Sequence, residues 1–149
     1  MDDITFKILA NKDHSLWYAL SGVTGSIVSY AFGGWSGVLE LLLIFFAVDY
    51  VTGCAASIKT GKGLRSNVGR QGIMKKGFML LLVFLGHKID TALQMNIVMN
   101  ATIYFWLANE LVSIVENYGR LGFKVPGVFK KVITVLQEKS GEEDTSNQK

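Results

Sequence analysis

Proline and cysteine are nearly missing from this chain, which holds one of each in 149 residues. With Cys54 alone, no intrachain disulfide forms, and cysteine usage does not reveal the redox compartment. Cys54 lies in an apolar stretch and reads as a small packed side chain. Charge is scarce as well: 18% of residues are Asp, Glu, Lys or Arg, against about 25% in a typical soluble domain. From Ser15 to Ile58 the only charged residues are Glu40 and Asp49. A soluble helical domain shows one face of each helix to water and would scatter charge through such a stretch. Histidine is limited to His14 and His87, without neighbours at metal-ligand spacing. There is no phosphate-binding glycine loop and no serine nucleophile elbow. These absences argue against an enzyme and against any cofactor or metal.

What the chain has is apolar length. Half of its residues are hydrophobic and its mean hydropathy is +0.32. Four apolar segments stand out, at about 16–32, 35–58, 77–93 and 97–118. A bilayer core of about 30 Å takes about 20 helical residues. Segments one, two and four meet that length, and segment three is shorter and carries His87, Lys88 and Asp90. Gly33-Gly34 and Gln94-Met95-Asn96 are tight links, which implies antiparallel hairpins. The expected fold is an all-α integral membrane protein with about four transmembrane helices, after an N-terminal segment 1–14.

Positive charge is concentrated between the apolar segments. Residues 59–76 hold Lys59, Lys62, Arg65, Arg70, Lys75 and Lys76 and no acid. Such a one-signed loop stays in the cytoplasm and is attracted to anionic lipid. It lacks the interleaved aromatics of a nucleic-acid site, so no nucleic-acid partner is expected. The region 119–139 is also basic, which sets it on the same side after two crossings. Within it, Val128, Phe129, Val132, Ile133 and Leu136 recur at helical spacing opposite Lys130 and Lys131. That pattern predicts a short amphipathic helix on the membrane surface. Residues 140–149 are polar and are expected to be disordered. The chain start carries acids where a secretory signal has a basic region, so a signal peptide is the weaker reading of segment one.

Three sets of residues are candidates for function. Ser21, Gly25 and Ser29 repeat every four residues, with Gly22 and Ser26 beside them. Small residues let helices approach closely in lipid, either inside one monomer or between subunits. Asp49 shares a helix face with Gly53, while Glu40 is half a turn out of phase. An acid inside a span is expensive to bury and is either functional or bonded to a neighbouring helix. Asn109, Ser113 and Glu116 or Asn117 form a polar stripe on segment four, with Glu110 adjacent. That stripe lines water or meets a partner such as Lys88.

The order of certain residues resembles a known family. Asp49-x3-Gly53-x-Ala55-x3-Lys59 is followed by Ser66-x2-Gly69-x2-Gly72-x2-Lys75-Lys76. Then come Glu110, Ser113, Glu116-Asn117 and Leu121-Gly122-x3-Pro126. From about Ala47 to Leu136 this pattern is similar to the toxin-secretion/phage-lysis holins. The resemblance implies a homo-oligomer in the bacterial cytoplasmic membrane that opens lesions, with an endolysin or toxin as cargo. Its acidic and Asn positions carry over to Asp49, Glu110, Glu116 and Asn117, and no catalytic role is implied. Rival readings are a small ion channel or transporter, a non-conducting holin inhibitor or scaffold, and a soluble helical bundle.

Overall fold

A computed structural model describes residues 3–61, 63 and 66–141, with side chains from Trp17 onward except at 66–68. Among the described residues the chain is all-helical: α1 Asp3–Phe32, α2 Gly37–Lys59, α3 Ser66–Leu93, α4 Val98–Arg120 and α5 Val128–Ser140. The expected tail lies outside the described residues, apart from Ser140 and Gly141. Two of the helices, α2 and α4, are both long and apolar enough to cross a membrane.

The chain divides into two units, residues 1–35 and 36–149. The first is α1, a single 30-residue helix whose second half is the first apolar segment. Its serines bond within the helix: the Ser21 hydroxyl donates to Trp17 O at 2.6 Å and the Ser26 hydroxyl to Gly22 O at 2.8 Å. That local bonding satisfies the hydroxyls without a partner helix. The helix stops at Gly33 and Gly34, where φ is +71° and +116°, values that residues with a β-carbon rarely adopt.

In the second unit α2 starts where Ser36 caps it, its hydroxyl accepting from Leu39 N at 3.3 Å. Glu40 in the first turn and Lys59 in the last complement the helix dipole. Helix α4 has no side-chain cap of its own. Asp90 of α3 serves instead, accepting from the backbone N–H of Ile97, Val98 and Met99 at 3.1, 3.0 and 2.9 Å. One turn earlier, Gly86 lets α3 come against this same turn of α4. A β-carbon there would meet Met99 Cα at 3.0 Å. Asp90 and Gly86 together close the α3–α4 hairpin.

Helix α4 is central and packs against α2, α3 and α5. The core joins Leu39, Leu42 and Phe46 of α2, Met79 and Val83 of α3, and Ile103 and Leu107 of α4. Asn117, near the end of α4, bonds Asp49 of α2, and Lys59 at the end of α2 donates to Leu121 O just past α4. The two helices therefore run parallel, and α3, which connects them, runs in the opposite direction. Outward apolar strips remain exposed at helical spacing, including Ile44, Val48 and Val51 of α2 and Phe78, Leu81 and Leu85 of α3. Lipid is the natural solvent for such strips.

Two features differ from the sequence expectation. The basic stretch 59–76 is not all loop: α3 begins at Ser66, so Arg70, Lys75 and Lys76 are helical. A charge run reports solvation rather than backbone, and nothing in 66–76 stops a helix from growing back from the apolar stretch that follows. The amphipathic helix, α5, folds back along α4. Leu136 is buried and the Lys139 ammonium lies 5.1 Å from the centre of the Tyr104 ring.

Candidate functional site

Lys76 stands between two carboxylates. Its ammonium donates to Asp49 Oδ2 at 3.0 Å and to Glu110 Oε2, and it lies 4.8 Å from the centre of the Phe46 ring. The three side chains are only 14%, 19% and 6% exposed for Lys76, Asp49 and Glu110. Each lies ten positions from the same end of its helix: Asp49 before Lys59, Glu110 before Arg120, and Lys76 after Ser66. At 1.5 Å per residue that is about 15 Å from the end, the half-thickness of a bilayer core. An unpaired charge at that depth is costly, and pairing within the protein offsets that cost.

The cluster extends toward the Lys59/Arg120 end. Asn117 Nδ2 donates to Asp49 Oδ1 at 3.3 Å and to Thr52 Oγ1 at 3.5 Å, and Arg120 donates to Asn117 Oδ1 at 2.9 Å. Gly53 sits beside this network, where a β-carbon would lie 3.5 Å from Asn117 Nδ2, an ordinary packing contact. Below it, Gly122 at φ +81° leaves room for Lys59, whose Nζ would lie 3.1 Å from a β-carbon there.

Helix α4 thus carries three stripes. Ile103, Leu107, Glu110 and Asn117 are buried at spacings of three, four and seven residues, and Glu110 and Asn117 among them meet the α2 and α3 side chains already named. Tyr104, Ala108 and Leu111 form the second stripe. Ala108 and Leu111 are buried, and Tyr104 takes the contact from α5. The third is polar and exposed: Asn109 and Glu116, seven residues apart, with half-buried Ser113 between them. Asn109 Nδ2 donates one turn back along its own helix, to Phe105 O at 3.0 Å. The polar stripe read from the sequence therefore splits, with Glu110 and Asn117 facing in and Asn109 and Glu116 facing out. The inward partner is Lys76 rather than Lys88.

The remaining candidates are dispersed. Ser21, Gly22, Gly25, Ser26 and Ser29 are exposed on α1, and no heavy atom lies within 4 Å of a β-carbon built at Gly22 or Gly25. Lys59, Arg70, Lys75, Lys130 and Lys131 are exposed, and Lys62 and Arg65 lie outside the described residues. Lys76 departs from the role expected of it, since its charge is spent on Asp49 and Glu110 and not on lipid headgroups. Among the described residues no group of three His, Cys, Asp or Glu side chains is arranged to hold a metal ion. Sequence reasoning missed the Asp90 cap and the Lys76 bridge. The available signal was a lysine at the edge of one apolar segment and an acid deep inside each of two others, Asp49 and Glu110.

Two apolar helices of spanning length, holding an ammonium–carboxylate cluster at mid-depth, mark a helical membrane protein. The family model of the bacteriophage holin family matches residues 26–138, and the chain belongs to that family. A probable holin of Bacillus phage phi105 is 35% identical, over 66% of this chain and 73% of its own length. An uncharacterized protein of Listeria monocytogenes is 42% identical, over 84% of this chain and 89% of its own. One from Clostridium perfringens is 36% identical, over 77% and 88%. No solved structure matches the chain. The holin family is not an enzyme family.

Proposed function

We propose that this chain is a holin, which assembles with copies of itself in the bacterial cytoplasmic membrane and opens lesions that release an endolysin or a toxin. The observation that carries the reading is the exposed polar stripe of Asn109 and Glu116 on α4, a helix apolar enough to cross a membrane. The charged groups of Asp49, Lys76 and Glu110 are paired with one another inside the monomer. Among the described residues no ion pair joins the outer stripe to α2 or α3, and lipid solvates it poorly. Pairing between subunits, or water in an opened lesion, supplies what lipid does not.

The parallel course of α2 and α4 supports at least three crossings. If both span, α3 must return across the bilayer to join them. Lys59, Arg70 and Arg120 lie toward one end of this bundle, which orients that end to the cytoplasm by the positive-inside rule. Helix α1 is proposed as a fourth crossing, with its small-residue stripe of Ser21, Gly25 and Ser29 available to a neighbouring subunit. Anionic lipid meets the basic residues at the cytoplasmic surface.

A selective channel or transporter is less well supported. Asp49, the candidate for a transport site, is already engaged by Lys76 and Asn117. Co-expression with a muralytic enzyme that lacks its own export signal tests the proposal. A holin causes abrupt lysis only when both proteins are present, whereas a non-conducting inhibitor or scaffold leaves the cells intact.

A further inference from the structure

We infer that α5 enters the membrane folded against α4 and that its polar face lines the aqueous path of the assembled lesion, an assignment that rests on the holin reading above. The contact between Lys139 and Tyr104 sets the depth. Tyr104 stands sixteen positions before Arg120, about 24 Å along the α4 axis. A helix that touches α4 there lies beside the length of α4 that crosses the bilayer, not across its end.

The faces of α5 then decide its solvent. Leu136 is buried in the fold, and Val128, Val132 and Val135 form an exposed apolar strip beside it. Lys130, Lys131, Thr134, Gln137 and Glu138 occupy the opposite face and are all exposed. At membrane depth lipid solvates those charges poorly, so water must reach them. An aqueous lumen between subunits provides that water, while the valine strip is left for lipid or a neighbouring subunit. With two lysines against one glutamate, the α5 face favours anions, as rings of basic side chains do in pores. The competing arrangement has α5 leave α4 and lie on the cytoplasmic surface, as amphipathic helices do.

The test uses the full-length protein in planar bilayers under a potassium chloride gradient, reading the first conductance steps. In the double variant Lys130→Glu/Lys131→Glu the reversal potential is expected to move from the anion side to the cation side. An unchanged reversal potential in a conducting variant overturns the assignment. If the double variant fails to insert, Thr134→Cys in a Cys54→Ser background takes its place. Adding a negatively charged thiol reagent after the lesion opens is expected to move the potential the same way, and no movement overturns the assignment. A wild-type protein that conducts while α5 changes have no effect leaves the holin reading intact and removes only this inference. A wild-type protein that never conducts removes both.

Discussion

Lys76 of α3 donates to Asp49 of α2 at 3.0 Å, at a level about midway along the parallel pair α2 and α4. Close side-chain bonds to both, at Asp49 and Glu110, tie the returning helix to its two neighbours. Replacing Lys76 by Met is expected to leave the buried carboxylate of Glu110 and the half-buried one of Asp49 without their cation and to cost about 3–5 kcal/mol. Thermal unfolding in detergent, and the amount of protein recovered from membranes, measure this. Adding Asp49→Asn and Glu110→Gln to Lys76→Met is expected to recover most of the loss, because no unpaired charge then remains. A triple variant as unstable as the single one would refute the pairing.

Gly86 is the point of closest approach between α3 and α4. Gly86→Val forces its side chain into the backbone of Met99, 3.0 Å from where the β-carbon alone would sit. The expected loss is about 1–3 kcal/mol. Gly77→Val on the same helix, where nothing lies within 4 Å of a β-carbon, is expected to lose less. The difference between their unfolding midpoints is the reading.

Asp90 holds the first turn of α4 through three backbone N–H groups. Asp90→Ala is expected to cost about 1–2 kcal/mol, within the range for lost helix caps. Hydrogen exchange of the amides of Ile97 to Met99 should accelerate selectively. Protection that stays unchanged would show that the cap is not what orders this turn.

The two polar stripes of α4 should separate fold from assembly. Asn117→Leu, on the inner stripe, is expected to destabilise the monomer by about 0.5–2 kcal/mol through its lost bonds to Asp49 and Thr52. Asn109→Leu with Glu116→Leu, on the outer stripe, is expected to spare the monomer and to shorten the ladder of cross-linked oligomers. Thermal unfolding and chemical cross-linking in membranes read the two effects.

That division explains what was legible in the sequence. The apolar lengths of α2 and α4 identify them without a structure, because hydropathy is summed along a segment. The facing of α4 is harder to read. Asn109 and Glu116 have the same spacing as Glu110 and Asn117, one position apart and so about 100° around the helix. Only the location of Lys76 and Asp49 shows which pair turns inward. Lys76 itself belongs to a run of one-signed charge that reads as a loop until its two carboxylate partners are known. The course of α5 was hidden for a related reason: an amphipathic pattern suits a membrane surface and a groove beside another helix equally well.

On the proposed reading, this chain opens lesions by assembling in the membrane. Leakage from liposomes loaded with both a small dye and a protein-sized dextran tests it most directly, read as a function of the protein-to-lipid ratio. Little leakage is expected until a threshold ratio, then release of both markers together. Liposomes that retain the dextran at every ratio, or that leak the dye alone in simple proportion to protein, would contradict it.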